Sequence, residues 1–322
     1  MKIIRGKTTI PGVKASVVTL GNFDGVHLGH KKILKSVVKR ARATGANSIV
    51  YTFEPHPLKV IAPKKSPPLI TTLERKIEEI SRVKPDYLVL ANFTKEFAAT
   101  HPKEFAEKAL KKTLRAKEVR VGHDFSFGKQ KLGTAESLKK LGSALGFKVF
   151  VMPARKKDGS IVSSSRIRTL VKNGEVFEAN RLLGYPFSLT GRVVKGRSVG
   201  KKLGFPTANI KTCNELLPCN GVYAACVVVG KKHLPAAVNI GIAPTFKRRK
   251  TVIEAHILGF KGSIYGRIVR IDFMKMLRPE ERFKNPEELS RRIKKDVKAA
   301  GRILKSGRGT MHRAPTKEKA TR

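Results

Sequence analysis

Residues 21–30 read GNFDGVHLGH, and this segment decides the fold. It follows the apolar run at residues 17–20 and opens a stretch of helical apolar spacing that ends at Gly45. A strand, a glycine-rich turn and a helix in this order are typical of a parallel sheet covered by helices. The unpaired N–H groups at such a helix N-terminus also bind phosphate. The segment therefore predicts an α/β fold with a phosphate site.

The two histidines of this segment allow three interpretations, one of which is that they are ordinary surface histidines. His27 and His30 could hold phosphate oxygens and stabilise negative charge on a transferring phosphoryl group. They could also form half of a metal site that takes a third ligand from elsewhere in the chain. We favour the phosphate site, because the whole block G-x-F-D-x-x-H-x-G-H is more specific than a lone pair of histidines.

The first half of the chain repeats one pattern of apolar residues. From Ala15 to Met152, short β-branched runs alternate with amphipathic stretches, which predicts a parallel sheet with helices on its faces. Thr71 and Glu74 form a capping-box pattern ahead of one helix. Such sheets bind ligands at the C-terminal ends of their strands. The predicted strands are residues 17–20, 48–53, 87–91, 118–121 and 148–152, and the predicted helices centre on residues 33–41, 77–83, 105–114 and 138–145.

The pattern changes near residues 184–186 (GYP), after which short apolar runs are separated by glycine turns. This favours a small antiparallel barrel. A closing helix has Asn285 as its N-cap and Pro286 at its first position. Residues 305–322 carry six Lys or Arg against one Glu, which predicts a disordered basic tail. The predicted barrel strands are residues 189–194, 221–229, 236–240, 251–258 and 268–273.

The chain is strongly basic. Its 322 residues include 68 Lys and Arg against 24 Asp and Glu, a formal net charge of +44. Such a charge favours contact with polyanions, including nucleic acid, acidic membrane surfaces and polyphosphate ligands. The basic residues are spread over the whole chain, and no helix-turn-helix, zinc-finger or RNP1 pattern is present. We therefore expect no specific nucleic-acid partner, while non-specific polyanion binding stays open.

Three features of the sequence bear on the cellular location of the protein. Its longest apolar stretch, residues 222–229, is far shorter than the about 18–20 residues that a membrane span requires, so we expect no membrane partner. The first residues lack the apolar segment of a signal peptide. Cys213, Cys219 and Cys226 form neither an even disulfide set nor a CxxC pair. We expect free thiols and a cytoplasmic location.

Residues 27–30 (HLGH) match the HxGH signature of the nucleotidylyltransferase superfamily, and the chain from about residue 2 to 304 resembles the bacterial bifunctional riboflavin kinase/FAD synthetase family. Ser165 stands where the second family signature has threonine and keeps the hydroxyl. The further blocks that carry the likeness are residues 163–168 (SSSRIR), 53–57 (FEPHP), 122–128 (GHDFSFG), 204–209 (GFPTAN) and 253–258 (IEAHIL).

The resemblance implies an α/β fold with two domains. Residues 1–186 would form an N-terminal Rossmann-like nucleotidylyltransferase domain. Residues 187–304 would form an antiparallel six-stranded, riboflavin kinase-like β-barrel closed by the C-terminal helix, followed by the tail.

For the first domain the resemblance implies FMN adenylyltransferase activity, the transfer of AMP from ATP to FMN. His27 and His30 would grip the ATP phosphates, and Arg168 would neutralise the departing pyrophosphate. The implied nucleotide-binding residues are Gly21, Asn22, Phe23, Asp24, Gly29, Ser163 and Ser164. The implied flavin-binding residues are Phe53, Pro55, His56, Pro57, Asp124 and Phe125.

For the barrel the resemblance implies riboflavin kinase activity. Thr207 and Asn209 would coordinate Mg²⁺ together with nucleotide phosphates, a donor set that suits this ion. Glu254 would act as the base for the primary alcohol of riboflavin. Read without the resemblance, the first two residues lie in an ordinary turn and the third is a solvated charge. The implied nucleotide-binding residues are Gly196, Gly204, Phe205 and Pro206.

One stretch departs from the family pattern. Residues 258–266 read LGFKGSIYG, where the family usually carries three more carboxylates. This leaves open a monofunctional FMN adenylyltransferase with a degenerate kinase barrel. A third alternative, of another class, is a basic nucleic-acid or polyanion-binding protein on an enzyme scaffold. We expect the bifunctional enzyme, which uses ATP and Mg²⁺ to convert riboflavin to FMN and then FMN to FAD with release of pyrophosphate.

Overall fold

A computed structural model describes residues 1–6, 10–196, 200, 203–244 and 249–306. It divides the chain into two compact units, Met1–Ser164 and Ser165–Arg322. The first unit is built on a parallel sheet and the second on a closed antiparallel barrel.

The first unit alternates strands and helices along the chain. Its strands are β1 (Lys2–Arg5), β2 (Ser16–Leu20), β3 (Asn47–Glu54), β4 (Tyr87–Asn92), β5 (Ala116–Gly122), β6 (Ser126–Phe127), β7 (Gly133–Thr134), β8 (Lys148–Met152), β9 (Lys156–Lys157) and β10 (Ser160–Ile161). Its helices are α1 (Leu28–Thr44), α2 (Pro57–Ile61), α3 (Leu73–Ser81), α4 (Lys95–Ala98), α5 (Pro102–Phe105) and α6 (Ala135–Leu145). A π-helix over Ala106–Thr113 continues α5, and 3-10 turns occupy Pro63–Lys65 and Lys129–Lys131.

The parallel sheet has the strand order β1-β4-β3-β2-β5-β8. From β2 the chain moves outward on one side through β3 and β4, then returns to pair β5 with the other edge of β2. The strand order thus reverses between β2 and β5. In open α/β sheets, ligands bind in the crevice outside the carboxyl ends of the strands at such a point.

Strand β2 is buried on both faces, as its run of β-branched residues predicts. Val18 packs in the same cluster as Leu110 of the π-helix, whereas Val17 packs with Val37 and Ala41 of α1. Because helices cover both faces, the turn that follows β2 starts from a fixed strand end.

The second unit contains a barrel that closes in the order β11-β12-β15-β14-β13-β16. Every neighbouring pair is antiparallel, and β16 pairs with both β11 and β13 to complete the ring. Its strands are β11 (Ser188–Val194), β12 (Ala208–Thr212), β13 (Gly221–Val229), β14 (Lys232–Pro244), β15 (Arg249–Ile257) and β16 (Ile268–Pro279). Its helices are α7 (Ser164–Lys172), α8 (Val176–Leu183) and α9 (Pro286–Ser306).

Helix α9 lies against the barrel. Asn285 caps it, since its Oδ1 accepts the Glu288 N–H at 2.8 Å. The buried Asp296 carboxylate receives the Arg278 guanidinium from β16, with Nη2 to Oδ2 at 2.9 Å and Nε to Oδ2 at 3.0 Å. Of the helices in the described residues, α9 included, none combines the length and apolar character needed to cross a membrane.

The structure confirms the α/β unit and the six-stranded barrel with its C-terminal helix. The predictions at residues 148–152 and 221–229 coincide with β8 and β13. Strands β1 and β12 and helices α7 and α8 were not predicted. The predicted helix at residues 105–114 is largely a π-helix.

The predicted capping box is wrong by one residue. Thr72 caps α3, and its side chain accepts the Arg75 N–H. Thr71 is engaged elsewhere, because its Oγ1 accepts the Gly25 N–H at 3.4 Å and its own N–H donates to Asp24.

The expected domain boundary after residue 186 differs from the limit of the compact units. Helix α8 belongs to the same compact unit as the barrel, because both polar atoms of the Asn180 side-chain amide form hydrogen bonds with backbone groups of that unit. Its Nδ2 donates to the Phe273 carbonyl at 2.7 Å, and its Oδ1 accepts the Phe187 N–H at 2.6 Å. Of the predicted tail, residues 305 and 306 end α9, and residues 307–322 lie outside the described residues.

Removal of the buried counter-charge of Arg278 is expected to destabilise the second unit. Asp296→Ala should lower the free energy of unfolding by about 3 kcal/mol, because a guanidinium is left buried without its partner. Glu281, 3.7 Å from Arg278, compensates only in part because its side chain is exposed. Urea unfolding followed by circular dichroism measures the change. Glu287→Ala, at an exposed position of α9, is the control, and equal midpoints for the two variants would contradict the prediction.

Candidate active sites

The turn between β2 and α1 is strained. Phe23 has φ of 47° and Val26 has φ of 35°, in the left-handed region that non-glycine residues rarely adopt. Both side chains are buried with Leu34 and Ile80, and this packing holds the backbone in place. Strain of this kind concentrates at functional sites.

His27 has a structural role at this turn. It is the N-cap of α1, and its Nδ1 accepts the His30 N–H at 3.3 Å. That bond leaves Nε2 as the protonated nitrogen of the neutral ring. The first turn of α1 contains no acidic residue, so no side chain of that turn offsets the positive end of the helix.

The two imidazoles of the segment stack on each other. Their centroids are 3.6 Å apart with an interplanar angle of 17°, and Phe23 meets the His30 ring edge-on at 5.3 Å. Burial lowers the pKa of His30 well below its ordinary value, and His27 and Lys76 lower it further. The Nδ1 atom of His30 is buried and, within the described residues, has no hydrogen-bond partner. His30 is therefore neutral at pH 7 and offers hydrogen-bonding capacity without charge.

Asp24 lies in this turn, but its carboxylate bonds to backbone. The oxygens accept the Ile70 N–H at 3.0 and 3.2 Å and the Thr71 N–H at 3.4 Å. The carbonyl of Asp24 in turn accepts the Ser164 hydroxyl at 2.9 Å. These bonds join three segments that are far apart in sequence.

The other predicted nucleotide-binding residues of the first unit surround the same turn. Gly29 leaves little room for a side chain, since a Cβ there would make a tight contact of 3.1 Å with the His27 ring and lie 3.6 Å from the Val162 carbonyl. Gly21, Asn22 and Ser163 occupy the adjoining backbone, with Asn22 exposed. Ser165, Arg166 and Arg168 lie on α7 and belong to the second unit.

The predicted flavin-binding residues lie in the last part of β3, as Phe53 does, or directly after β3 and β5. His56 is the N-cap of α2, with Pro57 at the start of the helix and a cis bond between Glu54 and Pro55. Phe125 stacks on Phe127 at 5.5 Å, whereas the Asp124 side chain is 83% exposed. Ring contacts of 5.4–5.9 Å connect Phe53 to Phe125 and form an aromatic wall. Its members are Phe53, Phe93, Phe97, Phe105, Phe125 and Phe127.

In the barrel, three polar residues lie opposite one another on three adjacent strands. Asn209 of β12 faces Glu254 of β15, which faces Asn239 of β14. Because directly paired residues point to the same face of a sheet, the three side chains form one row. Ile253 and Ala255, which flank Glu254 in β15, are buried on the opposite face. We call these three residues the polar row.

Sequence reasoning did not select Asn239 as a candidate site residue. Burial raises the pKa of Glu254, and a hydrogen bond from the Asn239 side chain partly reverses this. The alternation of polar and apolar residues along β14 could have identified Asn239, because it is the polar residue between buried Val238 and Ile240.

The remaining predicted barrel residues lie close to the polar row. A Cβ on Gly196 would collide with the Asn209 amide, so this glycine permits a close approach. The Pro206 carbonyl lies 2.9 Å from Nδ1 of His256, and Phe205 meets the His256 ring edge-on. Gly204, with φ of 82°, precedes them. Residues 197–199, 201 and 202 lie outside the described residues.

The donor set at Thr207 and Asn209 suits Mg²⁺, because it consists of a hydroxyl and an amide oxygen, and hard cations prefer oxygen ligands. Among the described residues there is no group of three His, Cys, Asp or Glu that could hold a metal ion. Within the described residues, therefore, no third ligand completes a metal site with His27 and His30.

Two family models match the chain, one described as FAD synthetase over residues 11–166 and one described as riboflavin kinase over residues 183–304. The bifunctional riboflavin kinase/FMN adenylyltransferase of Escherichia coli strain K12 is 36% identical over 299 residues, covering 92% of this chain and 96% of that protein. The protein of the same name from Bacillus subtilis strain 168 is 36% identical over 294 residues, covering 90% and 92%. A crystal structure from Streptococcus pneumoniae, described as a macrolide-efflux protein, has a TM-score of 0.84 and 29% identity, covering 94% of this chain and 99% of that one.

The neutral state of His30 can be tested by NMR. We expect its Cε1–H resonance in the folded protein to titrate well below pH 6.5, because burial favours the neutral ring. In urea the midpoint should return to about 6.5. Since the unfolded state binds this proton first, folding stability should fall as the pH drops below that value. A folded-state midpoint at or above the urea value would contradict the prediction.

Proposed function

The chain belongs to the bifunctional riboflavin kinase/FMN adenylyltransferase family, and we propose that its two units divide the two reactions between them. The barrel transfers the γ-phosphoryl group of ATP to riboflavin and yields FMN and ADP. The first unit transfers AMP from ATP to FMN and yields FAD and pyrophosphate. The observation that carries this assignment is the presence, in one chain, of a stacked histidine pair at a helix N-terminus and of a half-buried carboxylate in a polar row.

In the adenylyl transfer, a phosphate oxygen of FMN attacks the α-phosphorus of ATP. The bond from that phosphorus to the bridging oxygen breaks, and pyrophosphate leaves with the electron pair. The N-terminus of α1 and the rings of His27 and His30 are placed to bind the phosphate oxygens, where charge accumulates. Ser163 and Ser164 belong to the same nucleotide site, and Arg168 is assigned to the leaving pyrophosphate.

The flavin of this reaction is assigned to the loops after β3 and β5. Both strands flank β2, so their carboxyl ends meet at the crevice where the strand order reverses. The aromatic wall supplies apolar surface for a planar ring system. Phe53, Pro55 and Phe125 are the contacts we assign there.

In the kinase reaction, Glu254 accepts the proton of the primary hydroxyl of riboflavin as that oxygen attacks the γ-phosphorus. The bond to the β–γ bridging oxygen breaks, and ADP leaves. Burial raises the pKa of Glu254, which makes the carboxylate a stronger base, and the amide of Asn239 holds it in place. Asn209 lies opposite Glu254 in the polar row. Thr207 and Asn209 would hold Mg²⁺, which offsets phosphate charge when bound.

Three wider assignments accompany this function. Cys213, Cys219 and Cys226 are free thiols, which supports a cytoplasmic location. The functional division near residue 186 remains our assignment. Non-specific polyanion binding is a secondary consequence of the basic charge.

Separation of flavin products by chromatography tests the assignment. Wild-type protein with ATP and Mg²⁺ should form FAD from either riboflavin or FMN. Glu254→Gln should lose FMN formation by about 100-fold or more, as the loss of a general base predicts, yet still convert FMN to FAD. His27→Ala should show the opposite pattern and accumulate FMN. A wild-type protein that uses FMN but not riboflavin would instead establish a degenerate barrel.

The role of Asn239 is tested by the pH dependence of the kinase reaction. Its hydrogen bond lowers the pKa of Glu254, so Asn239→Ala should raise that pKa and move the acid limb of kcat/KM to higher pH. Asn173→Ala is the matched control, because Asn173 bonds the exposed Glu175 at 3.2 Å. If Asn239→Ala lowers the rate equally at all pH values, the hydrogen bond does not tune the base.

A further inference from the structure

Lys76 of α3 is a buried lysine that the sequence analysis did not select. Its residue surface is only 3% exposed. A buried ammonium is costly unless it is paired or has a function. In the part of the chain that the structure describes, its ammonium forms no hydrogen bond or ion pair.

Three basic residues near Lys76 differ from it because each forms an ion pair with Glu79. Glu79 is fully buried and receives Arg75 at 3.0 Å, Lys31 at 3.0 Å and Arg82 at 3.2 Å. This network ties α3 to α1 and accounts for those three basic residues. Lys76 stands outside it, so interhelix pairing does not explain its burial.

Helix α3 is fixed against the turn after β2. Asp24 accepts the amide hydrogens of Ile70 and Thr71, just ahead of the helix. Phe23 and Val26 pack with Ile80 of α3. Lys76 is thereby held beside the phosphate-binding turn.

The charges around Lys76 agree with that placement. Burial lowers its pKa, Asp24 and Glu54 raise it, and Lys59 lowers it. Lys76 itself acts on His30 and helps to lower the pKa of that ring. The ammonium is therefore within electrostatic range of both the histidine pair and the end of β3, where the flavin-side loop begins.

We propose that the ammonium of Lys76 is a phosphate-binding group of the first unit, which takes an oxygen of the ATP phosphates or of the FMN phosphate. This inference rests on the proposed function. The neutral His30 supplies hydrogen bonds without charge, and Asp24 is already engaged with backbone amides. Lys76 supplies the positive charge that a bound phosphate requires at this turn.

Binding of inorganic pyrophosphate to the full chain, measured by calorimetry, tests the proposal independently of activity. Lys76→Met should weaken pyrophosphate binding, or raise the KM for FMN, by about 10- to 100-fold, the range for a lost hydrogen bond to a charged group. A weaker pyrophosphate site assigns the ammonium to the ATP phosphates, and a higher KM for FMN alone assigns it to the flavin phosphate. Lys76→Arg should recover most of either loss.

The chain supplies its own controls. Riboflavin phosphorylation by the same preparation should stay within about twofold of wild type, because that reaction belongs to the barrel. Lys32→Met removes an exposed charge from α1 and should change neither measurement. If Lys76→Met unfolds the first unit, the polar variant Lys76→Gln takes its place, and a folded Lys76→Gln variant with wild-type affinity for pyrophosphate and a wild-type KM for FMN overturns the proposal.

The outcomes separate the two levels of inference. Wild-type affinity for pyrophosphate and a wild-type KM for FMN in Lys76→Met overturn the role of Lys76 and leave the proposed function intact. A wild-type chain that forms no FAD overturns the proposed function. In that case, loss of pyrophosphate binding in Lys76→Met still supports an anion site at Lys76, and its retention overturns one.

Discussion

The buried carboxylate of Asp24 is the interaction on which the first unit depends. It accepts amide hydrogens from the segment ahead of α3 and thereby fixes that helix to the turn between β2 and α1. The same turn carries φ values that only a packed surrounding can maintain. Without these bonds the stacked histidines and Lys76 would not be held at fixed positions relative to one another. Asp24 therefore acts on the proposed phosphate site only indirectly, through the backbone that it holds.

The barrel depends on a different constraint, the register of its strands. Asn209, Glu254 and Asn239 come from three strands and align only because β15 pairs with β12 on one side and β14 on the other. A shift of one residue would turn Glu254 to the opposite face. The geometry of this candidate site is set by the pairing of three strands, whereas that of the candidate site in the first unit is set by one turn and the residues that anchor it.

Hydrophobic periodicity predicted the core strands because burial on both faces leaves a strong signal in strands such as β2. The motif segments singled out candidate residues for two sites because each motif is local in the sequence. What escaped prediction depends on contacts between distant residues. The cap lies at Thr72 rather than Thr71 because the Thr71 hydroxyl accepts the Gly25 N–H, and Asn180 ties α8 to Phe273. Asn239 and Lys76 acquire their roles from neighbours more than ten residues away in the chain.

The closure of the barrel has a consequence for the order in which the chain is made. Strand β11 pairs with residues 268–272 of β16, so the ring needs residues as far as Asp272 before its first strand has both neighbours. The parallel sheet is complete once β8 has emerged at Met152. Domains fold as units during synthesis, with the N-terminal one first. A ribosome that stalls late therefore releases a chain with a finished sheet and an open barrel, so premature termination would cost phosphorylation before it costs adenylylation.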